Sequence, residues 1–149
     1  MALSELATQA LGALSRKERT VAEMVAWLRD RGSSENEVEA AVSELVDTGA
    51  LDDERFARRY AEDKRELSGW GEERIAASLT ERGVAEDLVE TALEADRDGE
   101  LERAVAVLEE RGRPAADDAS RSRCFSALAR RGYSAELAYE AIRRYERLG

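Results

Sequence analysis

One frame occurs three times in this chain, and it limits what the chain can fold into more than any other feature. It reads LRDRGSSENEVEAAV from residue 28, LTERGVAEDLVETAL from residue 79 and LARRGYSAELAYEAI from residue 128. Aligned on Gly32, Gly83 and Gly132, each copy has a leucine four residues earlier: Leu28, Leu79 or Leu128. Eight residues earlier stands Met24, Ile75 or Cys124. Arginine precedes every glycine (Arg31, Arg82, Arg131), and alanine follows nine residues later (Ala41, Ala92, Ala141). Repetition at such a period is the mark of an array of similar small units.

The spacing dictates local structure. Four residues make about one helical turn, so the residues eight and four before the glycine share a face. Glycine enters the left-handed conformation that ends a helix without strain. Ser34 and Ser134 then suit the N-cap of a following helix, and Ser34 with Glu37 reads as a capping box. Each frame therefore predicts a helix, a short turn and a second helix. Another helical stretch precedes each frame, at roughly residues 2–14, 53–67 and 99–112. Thr20 with Glu23 caps the helix that follows the first stretch. Asp52, Asp53 and Glu54 put negative charge at the positive end of the second.

Composition agrees with helices throughout. Pro114 is the only proline, and the dominant residues, Ala, Leu, Glu and Arg, are strong helix formers. The expected fold is all-α, with three tandem three-helix modules at 1–51, 52–97 and 98–149. A single unit of that size buries little core, so stacking against neighbours is expected to help.

The chemistry the chain lacks narrows its function. It has no histidine, which removes the commonest general base and metal ligand. The one cysteine, Cys124, falls on an apolar frame position and reads as a core residue. It supplies neither a cysteine-rich zinc site nor a disulfide within the chain. No GxxxxGK[ST] or GxGxxG loop occurs. The expectation is a protein that is not an enzyme, with no catalytic residue, metal or cofactor. No run of 18 apolar residues is present. The opening, MALSELATQALGALSRKER, has no basic stretch before its apolar run and reads as a helix of the mature protein. A cytoplasmic protein without membrane contact is expected.

What remains is surface. Net charge is -10 and 38% of residues are charged, yet 43% are hydrophobic and periodically spaced. Acidity therefore describes a surface, not disorder. Residues 33–54 carry eight acids and no bases. Residues 120–149 carry seven arginines against three glutamates, a local net of +4, which leaves -14 for the rest. Arginine's planar fork suits phosphate and carboxylate alike. The candidate contacts for a partner or nucleic acid are therefore Arg121, Arg123, Arg130, Arg131, Arg143 and Arg144. A smaller basic group is Arg16, Lys17, Arg19, Arg29 and Arg31. Phe56 and Tyr60, four residues apart, share a helix face and read as core. Trp70 lies between Gly69 and Gly71 in a turn and is the better candidate for a contact.

Three segments resemble the RecX family of bacterial regulators, in order and over nearly the whole chain. ALGALSRKERTVAEMVAWLRDRG, from residue 10, looks like the family's opening. GALDDERFARRYAEDKRELSGWGEERIAASLTERGV, residues 49–84, resembles its most recognisable segment. That segment holds Asp52, Asp53, Phe56, Ala57 and the Gly69-Trp70-Gly71 run. RCFSALARRGYSAELAYEAI is similar to the third repeat. The resemblance implies winged-helix or helix-turn-helix modules without a wing, in an elongated, curved array. It implies binding to the RecA recombinase and its filament on single-stranded DNA. There the family restrains ATP hydrolysis, strand exchange and repressor self-cleavage. Family members are often basic and this chain is acidic, so direct DNA contact is expected through the C-terminal module. A monomer is expected. Two rivals stay open at this stage: a helix-turn-helix DNA-binding protein and a generic helical scaffold for another protein. The acids of the third helices (Glu35, Glu37, Glu39, Glu44; Glu86, Asp87, Glu90, Glu94) argue against a recognition helix.

Overall fold

The computed structural model describes residues 3–114 and 116–148. Residues 1, 2, 115 and 149, which belong to the expected modules 1–51 and 98–149, lie outside the described residues. Among the described residues there are nine α-helices and no strand. They are α1 (Glu5–Arg16), α2 (Val21–Asp30), α3 (Glu35–Asp47), α4 (Asp53–Ser68), α5 (Glu72–Glu81), α6 (Glu86–Glu94), α7 (Glu100–Glu109), α8 (Asp118–Arg130) and α9 (Ala135–Leu148). The frame's first helix is α2, α5 or α8, and its second is α3, α6 or α9.

Each frame closes in the same way. Gly32, Gly83 and Gly132 have φ of 88°, 88° and 94°. In the second copy the Gly83 N–H donates to Thr80 O at 3.0 Å and the Val84 N–H to Leu79 O at 3.1 Å. These two bonds occupy carbonyls that the helix end leaves without helical partners. Thr20 with Glu23 and Ser34 with Glu37 form capping boxes. Ser134 Oγ accepts the Leu137 N–H at 3.2 Å. Met24, Leu28, Ile75, Leu79 and Leu128 are fully buried, and Cys124 is buried in the same cluster as Leu128. Each large side chain so buried stabilises the fold by roughly 1.5–3 kcal/mol relative to exposure.

The chain divides into two compact units. One holds residues up to Ala57 together with Leu79–Val89; the other holds Arg58–Ser78 together with residues from Glu90 onward. In the first, Ala7 and Ala10 of α1 pack with Met24, Leu28, Ala41 and Leu45. In the second, α7 contributes Ala104, Val105 and Leu108, α8 contributes Cys124 and Leu128, and α9 contributes Ala138, Ala141 and Ile142.

Within each unit a helix start meets a frame turn. In the first, the N-cap hydroxyl of α2, Thr20 Oγ1, donates to Arg82 O at 2.7 Å. The Arg82 guanidinium returns to Glu23 through two bonds of 3.0 and 2.9 Å. Asp53 Oδ1 accepts the Val21 N–H at 2.9 Å. In the second unit the start of α5 does the same: Gly71 N–H donates to Arg131 O at 2.7 Å and Glu73 N–H to Gly132 O at 3.0 Å. A Cβ added at Gly83 would lie 2.4 Å from Ala22 Cβ, and one at Gly132 would lie 2.3 Å from Arg74 Cβ. A Cβ at Gly32 meets nothing within 4 Å. The second and third frame glycines thus serve two purposes, a left-handed turn and a seat for an earlier helix.

This difference is measurable. Gly32→Ala is expected to cost about 1 kcal/mol, the strain of a left-handed alanine. Gly83→Ala adds a further roughly 1–3 kcal/mol of overpacking. Thermal unfolding followed by circular dichroism compares the two, and equal midpoints would remove the second role of Gly83.

Candidate partner-binding surface

The third frame copy differs from the others where it faces outward. Helical spacing sets Arg121, Ser122 and Phe125 on one face of α8, and Tyr139, Ile142, Arg143 and Glu146 on one face of α9. Together they line a groove of about 470 Å³. The Phe125 and Tyr139 rings lie 4.9 Å apart and are tilted by 30°, and Tyr139 is 55% exposed. Arg121 grips Glu146 with two bonds of 2.7 and 3.2 Å. That hydrogen bonding raises the Arg121 pKa and lowers that of Glu146. Arg143 is exposed and, among the described residues, has no carboxylate within ion-pair distance. The same groove in the first copy also holds an arginine–glutamate pair, Arg29 with Glu35, but Val25, Glu39 and Ser43 stand there in place of Phe125, Tyr139 and Arg143.

The sequence candidates therefore separate. Arg121 and Arg143 come together at the groove. Arg123, Arg130 and Arg144 are exposed but do not line it, and Arg131 is half-buried with a long bond to Ala127 O. In the N-terminal group, Arg29 is held by Glu35 through two bonds of 2.8 Å. Arg19 donates to Ala13 O at 2.8 Å, closing the end of α1. Arg31 stacks over Trp27 at 4.5 Å. Arg16 is exposed on the last turn of α1. Phe56 is buried as expected, and Tyr60 is half-buried with its hydroxyl against Ser78 Oγ at 2.5 Å.

Trp70 sits half-buried between α4 and α5, with its backbone N–H donating to Lys64 O at 3.1 Å. The Arg74 guanidinium lies 4.0 Å from its ring centroid and the Lys64 ammonium 4.7 Å. Arg74 also donates to Arg130 O at 3.2 Å. The turn is anchored by Tyr133, whose hydroxyl donates to Gly69 O at 2.8 Å. Burial, helped by Glu100, pushes the Tyr133 hydroxyl pKa up to about 12. Nearby, buried Arg65 donates to the carbonyls of Ala95 and Leu93 at the end of α6. Glu72 lies 3.6 Å from Arg65 and 2.8 Å from Arg97. Glu100 is 8% exposed, and the Glu72 backbone N–H faces its carboxylate without completing a hydrogen bond of ordinary geometry.

Sequence reasoning missed Phe125, Tyr139, Lys64 and Arg74. A signal existed for the first two. Where the third copy has Phe125 and Tyr139, the first has Val25 and Glu39 and the second Ala76 and Glu90. Lys64 and Arg74 carried no such signal, because their nearness to Trp70 depends on how α4 meets α5.

By fold this is an all-helical protein of helix-turn-helix units. A crystal structure of RecX from Lactobacillus salivarius superposes with a TM-score of 0.87, covering 97% of this chain and 96% of that one at 21% identity. A family model described as "RecX, second three-helix domain" matches residues 52–93. Regulatory protein RecX of Chromobacterium violaceum is 34% identical over 138 residues, 92% of this chain and 88% of that protein. Regulatory protein RecX of Mycobacterium sp. (strain KMS) is 32% identical over 137 residues, 87% of this chain and 75% of that protein. The chain belongs to the RecX family of regulatory proteins.

The buried Glu100 carries a pH signature. Burial pushes its carboxyl above the ordinary value of 4.5, and Glu72 adds to the shift. A raised carboxyl pKa contributes stability that is complete below the unfolded value and is lost as pH rises through the folded one. Glu100→Gln keeps the neutral form at every pH. It is expected to melt above the parent at about pH 8 and to lose that advantage near pH 4. A melting difference that does not change with pH would show that Glu100 does not titrate as described.

Proposed function

We propose that this chain binds the RecA recombinase and its filament on single-stranded DNA, and lowers ATP hydrolysis, strand exchange and stimulation of repressor self-cleavage. Family membership over 92% of the chain carries the reading. The third copy supports it, since Arg121, Arg143 and the exposed Tyr139 gather at one groove there. The acidic third helices of the first two copies turn toward protein, and contact with DNA falls to basic residues elsewhere in the chain, those of the C-terminal module among them. Glu35, Glu37, Glu39 and Glu44 on α3 repel phosphate. Reading a major groove with that helix is disfavoured. No chemical step by the regulator is needed: occupancy of the filament groove obstructs the duplex or the repressor.

The test is ATP hydrolysis by the host's RecA on single-stranded DNA, titrated with this protein at two salt concentrations. Inhibition is expected below one regulator per recombinase. Unchanged hydrolysis at saturating regulator would overturn the proposal.

A further inference from the structure

The turn that carries Trp70 gathers cations that the rest of the chain leaves unbalanced. The sequence has 33 acids against 23 bases, and some surface cations take up a carboxylate. Arg29, Arg82, Arg97 and Arg121 each do. Among the described residues Lys64, Arg74 and Arg130 have no carboxylate within ion-pair distance. Two of them converge: Lys64 and Arg74 lie over the indole at 4.7 and 4.0 Å, and Arg74 also donates to the backbone carbonyl of Arg130 at 3.2 Å. The group is also held in place. Gly71, next to the indole, is fixed by its bond to Arg131 O at 2.7 Å. A Cβ at Gly71 would lie 2.6 Å from Gly132 O, so the turn cannot shift without breaking that seat. Tyr60 meets the indole edge-on at 6.4 Å.

We propose that Trp70, Lys64 and Arg74 form a seat for a single nucleic-acid strand, with phosphates on the cations and a base on the guanidinium-covered indole. An acidic protein segment would satisfy the cations but gain nothing from the rings. A splayed base gains from both, because aromatic rings and stacked guanidinium planes accept any base face. A duplex keeps its bases stacked and offers none to a half-buried indole. The seat lies apart from the groove between α8 and α9, whose residues it does not share. It deepens the filament reading by giving the exposed strand a place on this chain. Its test omits recombinase, so either idea can fail alone.

The probe is oligothymidylate, read through tryptophan emission. The chain has two tryptophans, and Trp27→Phe leaves Trp70 as the only reporter. Oligothymidylate is expected to quench that emission, with log affinity falling against log salt at a slope of about -1.4 for two phosphate contacts. Lys64→Gln with Arg74→Gln is expected to raise the half-saturating concentration about tenfold, with the far-ultraviolet spectrum unchanged. Where Trp27→Phe does not fold, anisotropy of a labelled oligothymidylate gives the same comparison in the parent and the double variant. Absent binding, an affinity unaffected by the double variant, or equal quenching by polyglutamate of matched length would each overturn the seat. The last result would assign the cluster to acidic protein.

Discussion

Helix ends are the constraint on which this architecture rests. Every helix starts with N–H groups and finishes with carbonyls that have no partner inside it. Here the start of one helix docks on the turn that ends another: the N–H groups of Gly71 and Glu73 at α5 donate to the turn after α8, while at α2 the Thr20 hydroxyl donates to the turn after α5 and Asp53 takes the Val21 N–H. The contact is polar, short and directional. It fixes orientation in a way that apolar faces alone would not. It also explains why arginine and glycine travel together in the frame. The glycine makes room, and in the second copy the arginine closes over the joint to Glu23.

The same frame supports different tasks in its copies. The three arginines before glycine share a register and little else. Arg31 covers Trp27, Arg82 locks Glu23, and Arg131 offers its carbonyl to Gly71 while its side chain reaches Ala127 O. The outward face diverges further, from valine and glutamate in the first copy to tyrosine, phenylalanine and arginine in the third. Packing keeps the inward positions apolar in all three copies, because a polar group there would be buried without a partner. The outward positions are under no such limit, and that is where the copies acquire separate chemistry.

Much of this was legible in the sequence, and the division follows distance along the chain. The helix faces, the left-handed glycines and both capping boxes depend on partners within a few residues, so spacing reveals them. Asp53 shows where that ends. It reads as an acid in the first turn of its own helix, and it is one, but its Oδ1 caps α2, whose Val21 is 32 residues away. Arg65 reads as a surface base on α4, yet it is 6% exposed and holds the carbonyl end of α6. The Trp70 cluster was half legible. The glycine-flanked indole stood out, whereas Lys64 and Arg74 needed the fold to bring them there.

The joints also impose an order on synthesis. Thr20 is bonded to a carbonyl 62 residues further on, and Gly71 waits for Arg131. A nascent chain therefore emerges with each joint open, and closes it only after the next frame turn has left the ribosome. Until then the start of α5 presents its bare N–H groups to water. Translation thus assembles the protein in steps, each completed by the arrival of an arginine and a glycine.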